Sequence, residues 1–343
     1  MTRLDEKLAR IRAGRYTRSD FIIADAKDSD MGPSLTWAGP LRARDGTVER
    51  LRNRAEWLDQ MQAIVEQDVV DIMLTSASNL EALHQRGVFR TSKVKPAIRA
   101  NDTTDIWVMR GATYAKRPSR PFRSASLSHV ATGTDAPAPG QPIVGTDLGL
   151  YSITFNNDLD ADYASLEAFS AFRADASANR FKYFLEVFNP NVDTGIDPAL
   201  LPHYVNDCIL RCIAGVTQAQ RPEFLKIAYN GPKALEELAG FDPSVIVGVL
   251  GGGAGTTRDC FELLAQAERY GARVALFGRK INLAESPLDM VATMREVTSG
   301  NLAPSEAVRA YHGALQRQDI KPYRDLADDD VVTEAALKIA PTA

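Results

Sequence analysis

From residue 147 onward, short apolar runs alternate with longer amphipathic stretches, and that rhythm constrains the fold of this chain more than any other feature. The runs Leu148–Thr154, Phe181–Phe188, Phe224–Tyr229, Val245–Leu250 and Arg273–Phe277 read as strands. Between and after them, helical periodicity covers 161–178, 198–218, 232–239, 256–270, 286–298 and 303–316. Upstream the pattern is sparser. Phe21–Asp25, Val69–Leu74 and Val94–Arg99 are predicted strands, a helix is expected near 48–66, and Ser76 or Ser78 can cap the helix that follows the second strand. Pro96 is tolerated in the third strand only near its start. Eight strands, mostly followed by helices, give the α/β class and a closed (β/α)8 barrel, the TIM-barrel architecture. An open doubly wound sheet shares the alternation and is the competing topology.

A chain of 343 residues fits one such domain with additions. The predicted layout is a basic amphipathic leader helix at 1–19, the barrel at 20–283, and further helices with a tail at 284–343. An insertion after strand three, 102–146, is rich in Pro, Gly, Ser and Thr, shows no clear helix, and carries Lys116, Arg117, Arg120 and Arg123. It reads as a solvated surface loop, or as a lid or subunit-contact loop that reaches an anionic ligand. A net charge of -4 offers no field for nucleic acid or an anionic membrane, and neither a signal peptide nor an eighteen-residue apolar run is present, so a cytoplasmic protein is expected. Cys208, Cys212 and Cys260 read as buried thiols, and His84, His129, His203 and His312 lack a partner at zinc-binding spacing, so no metal is expected.

The candidate chemistry lies where ionisable residues interrupt apolar strands. Lys226 breaks the run Phe224-Leu225-Lys226-Ile227-Ala228-Tyr229, where an ammonium needs either a partner or a depressed pKa. A neutral amine there can attack a carbonyl and form a Schiff base; a lysine paired to a carboxylate is the structural alternative. Two-residue alternation sets Glu186 on one face with Phe184 and Phe188, next to Lys226 if that face is inward, and Asp25 ends strand one. Glu186 and Asp25 are the expected proton-transfer groups. Gly251, Gly252 and Gly253 close strand seven ahead of a helix, and Gly278 and Arg279 follow strand eight, the pairing of loops on which barrels hold phosphate. The glycines match neither the dinucleotide fingerprint nor a P-loop, which disfavours nucleotides. Lys27 and Arg99 can serve a second anionic group or act structurally.

Together these segments resemble the class I, Schiff-base aldolases of the DhnA-type and tagatose-bisphosphate aldolase group, densely over 181–281 and loosely over 20–300. The resemblance rests on Ile23-Ala24-Asp25, Phe184-Leu185-Glu186, Leu225-Lys226-Ile227-Ala228-Tyr229, Leu250-Gly251-Gly252-Gly253 and Phe277-Gly278-Arg279. It implies a carbon-carbon lyase acting on a phosphorylated sugar or similar anionic substrate through an imine on Lys226, without cofactor or metal, commonly as a homo-oligomer. Family members often carry a lysine or tyrosine inside strand four, where this chain offers Tyr151, and the long insertion is atypical. A phosphosugar isomerase or epimerase using the carboxylates, or a non-catalytic phosphosugar-binding barrel, are the alternatives.

Overall fold

The computed structural model describes residues 2–32, 35–43, 45–101, 110–113, 115–253 and 255–339. Its strands are β1 (Ile22–Lys27), β2 (Pro40–Arg42), β3 (Val48–Leu51), β4 (Ile72–Thr75), β5 (Lys95–Arg99), β6 (Leu148–Thr154), β7 (Lys182–Phe188), β8 (Leu225–Ile227), β9 (Val247–Leu250) and β10 (Val274–Phe277). The helices are α1 (Arg3–Arg12), α2 (Arg54–Gln67), α3 (Ala77–Gln85), α4 (Leu127–Thr132), α5 (Leu159–Ala178), α6 (Leu201–Ala214), α7 (Pro232–Phe241), α8 (Thr257–Arg269), α9 (Arg279–Asn282), α10 (Pro287–Thr298), α11 (Pro304–Arg317) and α12 (Leu326–Asp329). Eight strands close a parallel barrel in the order β1, β4, β5, β6, β7, β8, β9, β10 and back to β1. Closure removes both sheet edges and decides for the (β/α)8 barrel over the open sheet.

Two apolar cores divide the chain by strand parity. Ala24, Leu74, Ala97, Leu150, Phe184, Phe224 and Leu276 fill the barrel, while Ile23, Met73, Ile98, Tyr151, Leu185, Leu225 and Phe277 face the helical shell. The Phe184 and Phe224 rings stack inside the barrel with centroids 4.6 Å apart. The leader helix has a structural task. Its Leu4 and Leu8 join the inner core and plug the amino-terminal end of the barrel, and its charged residues fasten there as well. Asp71, just before β4, accepts from Arg3 Nε at 2.9 Å, Lys7 Nζ at 3.0 Å, Arg295 Nη2 at 2.9 Å and the Ile23 N–H at 2.9 Å. Burial alone would raise the Asp71 carboxyl, but these cations hold it below its ordinary value.

Two expected elements differ. Residues 48–51 form the second arm of an antiparallel hairpin rather than the start of a helix, because the Asp45-Gly46 turn, with Gly46 at φ +87°, folds β3 back on β2. The helix starts only at Arg54, where Asn53 and Glu56 form a capping box. Within the insertion, whose residues 102–109 and 114 lie outside the described ones, a short helix, α4, is capped by Ser126. Arg123 of the insertion pairs with Asp175 of α5 at 2.6 Å. Among the described residues no helix is long and apolar enough to cross a membrane.

Candidate active site

Barrel parity selects the side chains that can meet at the carboxyl end. On β8, Leu225 and Ile227 face the helices, so Lys226 shares the inner face with Phe224. Glu186 lies directly beside Lys226 in register, and Ser152 directly beside Glu186. Arg99, the last residue of β5, has the same inward parity as Ala97. These four, with Asp28 just beyond β1, make one buried polar network.

Lys226 Nζ stands 2.6 Å from Glu186 Oε1. The other carboxylate oxygen, Glu186 Oε2, accepts from Ser152 Oγ at 2.6 Å and lies 3.5 Å from Arg99 Nη2. Arg99 donates from Nη1 to Ser152 Oγ at 3.0 Å and from Nε to Asp28 Oδ2 at 2.6 Å. Asn101 brackets Ser152, accepting from its N–H at 2.7 Å and donating to its carbonyl at 2.9 Å, which fixes where the hydroxyl points. Burial pushes the Asp28 carboxyl up, but Arg99 and then Lys226 outweigh it and hold the group below the usual carboxylate range. Among the described residues the network thus sets two cations, Lys226 and Arg99, against two carboxylates, Glu186 and Asp28. That balance is what allows four charges to remain so deep in the fold.

Of the residues expected from sequence, Lys226, Glu186 and Arg99 come together; Asp25 and Lys27 do not. Asp25 pairs in register with Met73 and Phe277, and Lys27 with Thr75, so both side chains lie on the outer face of β1 beneath the helices. They pair with each other, Lys27 Nζ to Asp25 Oδ2 3.2 Å, outside hydrogen-bonding geometry. Burial drives the Asp25 carboxyl up and the Lys27 amine down, each partly opposed by the other. The acid that strand one contributes to the mouth is Asp28, three residues later. Ser152 and Asn101 were likewise not among the expected residues. Tyr151 turns away from the site, stacking on Phe172 at 4.3 Å between ring centroids.

The expected phosphate loops are adjacent, and they enclose a side chain of the chain itself. The Gly251 N–H donates to Leu276 O at 3.1 Å. At the start of α8, the Thr256 and Thr257 N–H groups donate to Asp259 and Asp329, each at 2.9 Å. Glu334 lies over Gly252, which adopts φ +61°, and a Cβ at Gly252 would come 3.3 Å from its Oε2. Lys280 Nζ is 3.2 Å from Glu334 Oε1. Burial lowers the Arg279 guanidinium while Glu334 pulls it back up. A Cβ on Gly253 would come 3.8 Å from Glu334 Oε1, and one on Gly278, after β10, would meet Ala26 O at 2.8 Å.

No protein-family model matches the chain, and no curated protein does. Solved structures do. The chain is similar to an archaeal fructose 1,6-bisphosphate aldolase, at 15% identity, a TM-score of 0.58, and coverage of 87% of this chain and 99% of that one. A Schiff-base-forming fructose-1,6-bisphosphate aldolase matches at 14% identity and TM-score 0.60, covering 86% and 99%. A structural-genomics target from Corynebacterium glutamicum matches at 18% identity and TM-score 0.52, covering 87% and 98%. At such identities the likeness establishes the (β/α)8 fold and nothing finer.

Proposed function

We propose that this protein is a class I aldolase that makes or breaks a carbon-carbon bond in a small sugar-type carbonyl compound through an imine on Lys226. The observation that carries the reading is the inward Lys226 amine 2.6 Å from a carboxylate at the mouth of a barrel. Barrel enzymes do their chemistry at this end. Glu186 is placed to take the proton that Lys226 must lose before its nitrogen can attack. The amine adds to the substrate carbonyl to give a carbinolamine. Protonation of its hydroxyl expels water and leaves an iminium, which withdraws electrons from the adjacent carbon. A carboxylate, Glu186 or Asp28, then removes the proton of the hydroxyl one carbon further on. That bond to the aldehyde breaks, and its electron pair is stored as an enamine. Protonation of the enamine carbon and hydrolysis of the iminium restore the amine. Ser152, held by Asn101 and bonded to Glu186 and Arg99, positions the acid.

The test is intact-mass measurement after cyanoborohydride reduction in the presence of triose and ketose substrates, with and without phosphate. The expected result is a single substrate adduct on wild type, mapped to Lys226, and none on Lys226→Met. Adduct formation that survives Lys226→Met refutes the assignment. Proton exchange into the substrate with no adduct and no cleavage points instead to an isomerase using the carboxylates.

A further inference from the structure

The carboxyl-terminal segment is fastened across the same end of the barrel by a dense set of hydrogen bonds. Asp259, the third residue of α8, accepts at Oδ1 from the Thr333 and Glu334 N–H groups, at 2.7 and 3.1 Å. Thr256 Oγ1 donates to Val331 O at 2.7 Å, and Gln266 Nε2 to Leu337 O at 2.9 Å. Leu337 is fully buried. These bonds hold the segment on both sides of residue 334 and set Glu334 against Gly252 and Lys280. The Lys280 side chain is 2% exposed and that of Glu334 26%, so the ion pair is partly shielded from water and partly screened.

The space between the loops after β9 and β10 is where a barrel would seat a phosphate. Here, three of the backbone donors bordering it, those of Gly251, Thr256 and Thr257, are satisfied by chain atoms. A buried lysine already holds a carboxylate. We propose that Glu334 is a specificity-determining residue: its carboxylate fills the anion seat of the glycine loop, rejects a phosphate there, and accepts hydrogen bonds from the hydroxyls of an unphosphorylated sugar end. A phosphate entering this seat would face a fixed negative charge a few ångströms away and would have to displace the pair with Lys280. An uncharged polyol end meets an acceptor with no such repulsion. The substrate half of the proposal rests on the imine chemistry of Lys226, whereas the anion half does not depend on it.

The two halves are therefore tested separately on the full-length protein. Inorganic phosphate is titrated into wild type, Glu334→Gln and Glu334→Ala, with binding read by phosphorus-31 line broadening or calorimetry. Removing one unit charge at contact distance in a partly screened site is expected to tighten phosphate binding by about tenfold or more in both variants. Equal phosphate affinity in wild type and in folded Glu334→Gln would overturn the proposal. On wild type alone, reductive trapping with dihydroxyacetone and with its phosphate ester compares the two substrate ends without any substitution. Preferential trapping of dihydroxyacetone is expected, and preferential trapping of the phosphate ester overturns the proposal even if the variants fail to fold. Should neither compound form an adduct, the Lys226 reading fails while the phosphate titration still decides the role of Glu334.

Discussion

Replacing Arg99 with methionine probes the charge balance of the site more sharply than any other single change. The guanidinium is 6% exposed as a residue, bonds Asp28 at 2.6 Å, and lies 3.5 Å from Glu186. Methionine keeps much of the volume but, among the described residues, leaves two buried carboxylates facing the cation of Lys226 alone. Removing one partner of a buried ionic network leaves uncompensated charge and costs about 3–5 kcal/mol. The loss should depend on pH with a definite sign. In wild type Asp28 is held below its unfolded value of roughly 3.9, so its contribution is complete above that pH and is lost as the pH falls through the folded value. In the variant the largest lowering influence is gone and burial dominates. The carboxyl then rises above its unfolded value, and the folded state gains stability as the pH falls. The deficit between wild type and variant should therefore be largest near pH 7 and shrink toward pH 4. Urea unfolding followed by tryptophan fluorescence at the two pH values measures it, with Trp57 buried in the core as one reporter. Adding Asp28→Asn to the variant should recover much of the loss at pH 7. A deficit below about 1 kcal/mol, the range of exposed ion pairs, or one that is the same at both pH values, would refute the network as described.

Two further predictions concern the body of the barrel. Asp71→Asn removes the carboxylate that gathers Arg3, Lys7 and Arg295, and the loss should again be about 3–5 kcal/mol at neutral pH; because the folded value of Asp71 is depressed, the advantage of wild type should fade only as the pH drops below about 4, readable from melting curves across that range. Phe224→Ala opens a cavity beside the stacked Phe184 ring in the barrel interior and should lower stability by about 3–5 kcal/mol in urea titrations, whereas a loss below about 1 kcal/mol would mean that the inner core collapses to fill the space.

What the sequence conveyed depended on how each strand is buried. From β6 onward the strands and helices could be placed to within a few residues, because apolar runs and amphipathic stretches alternate there without interruption. Lys226 and Glu186 stood out because a charge inside an apolar strand has few explanations. Direction was harder to read, since a barrel strand is apolar on both faces and carries no alternation to mark the inside. In Ala24-Asp25-Ala26-Lys27-Asp28 the strand pattern therefore singled out Asp25 as the acid and passed over Asp28, and only the register against Met73 and Phe277 separates the outward Asp25 and Lys27 from the inward acid. On strand four only Tyr151 stood out in the sequence, and the neighbouring small hydroxyl of Ser152 is the inward one. The reach of Glu334 into the glycine loop is a contact across 82 positions, the separation of 252 and 334, and no local pattern announces it.

The arrangement of partners around Glu186 bears on how a lysine locked in an ion pair can still act as a nucleophile. Glu186 keeps Ser152 and Arg99 on one oxygen while Lys226 occupies the other, so release of the amine does not leave the acid without partners. In the proposed reaction the proton leaving Lys226 moves to a carboxylate. That converts one cation and one anion into two neutral groups and preserves the balance with Arg99 and the remaining acid. Expulsion of water returns the charge: the iminium carries the positive charge formerly on the ammonium, and the carboxylate is restored beside it. The net charge of these four groups is thus the same before attack, at the carbinolamine and at the iminium, so no step along the way requires an isolated buried charge.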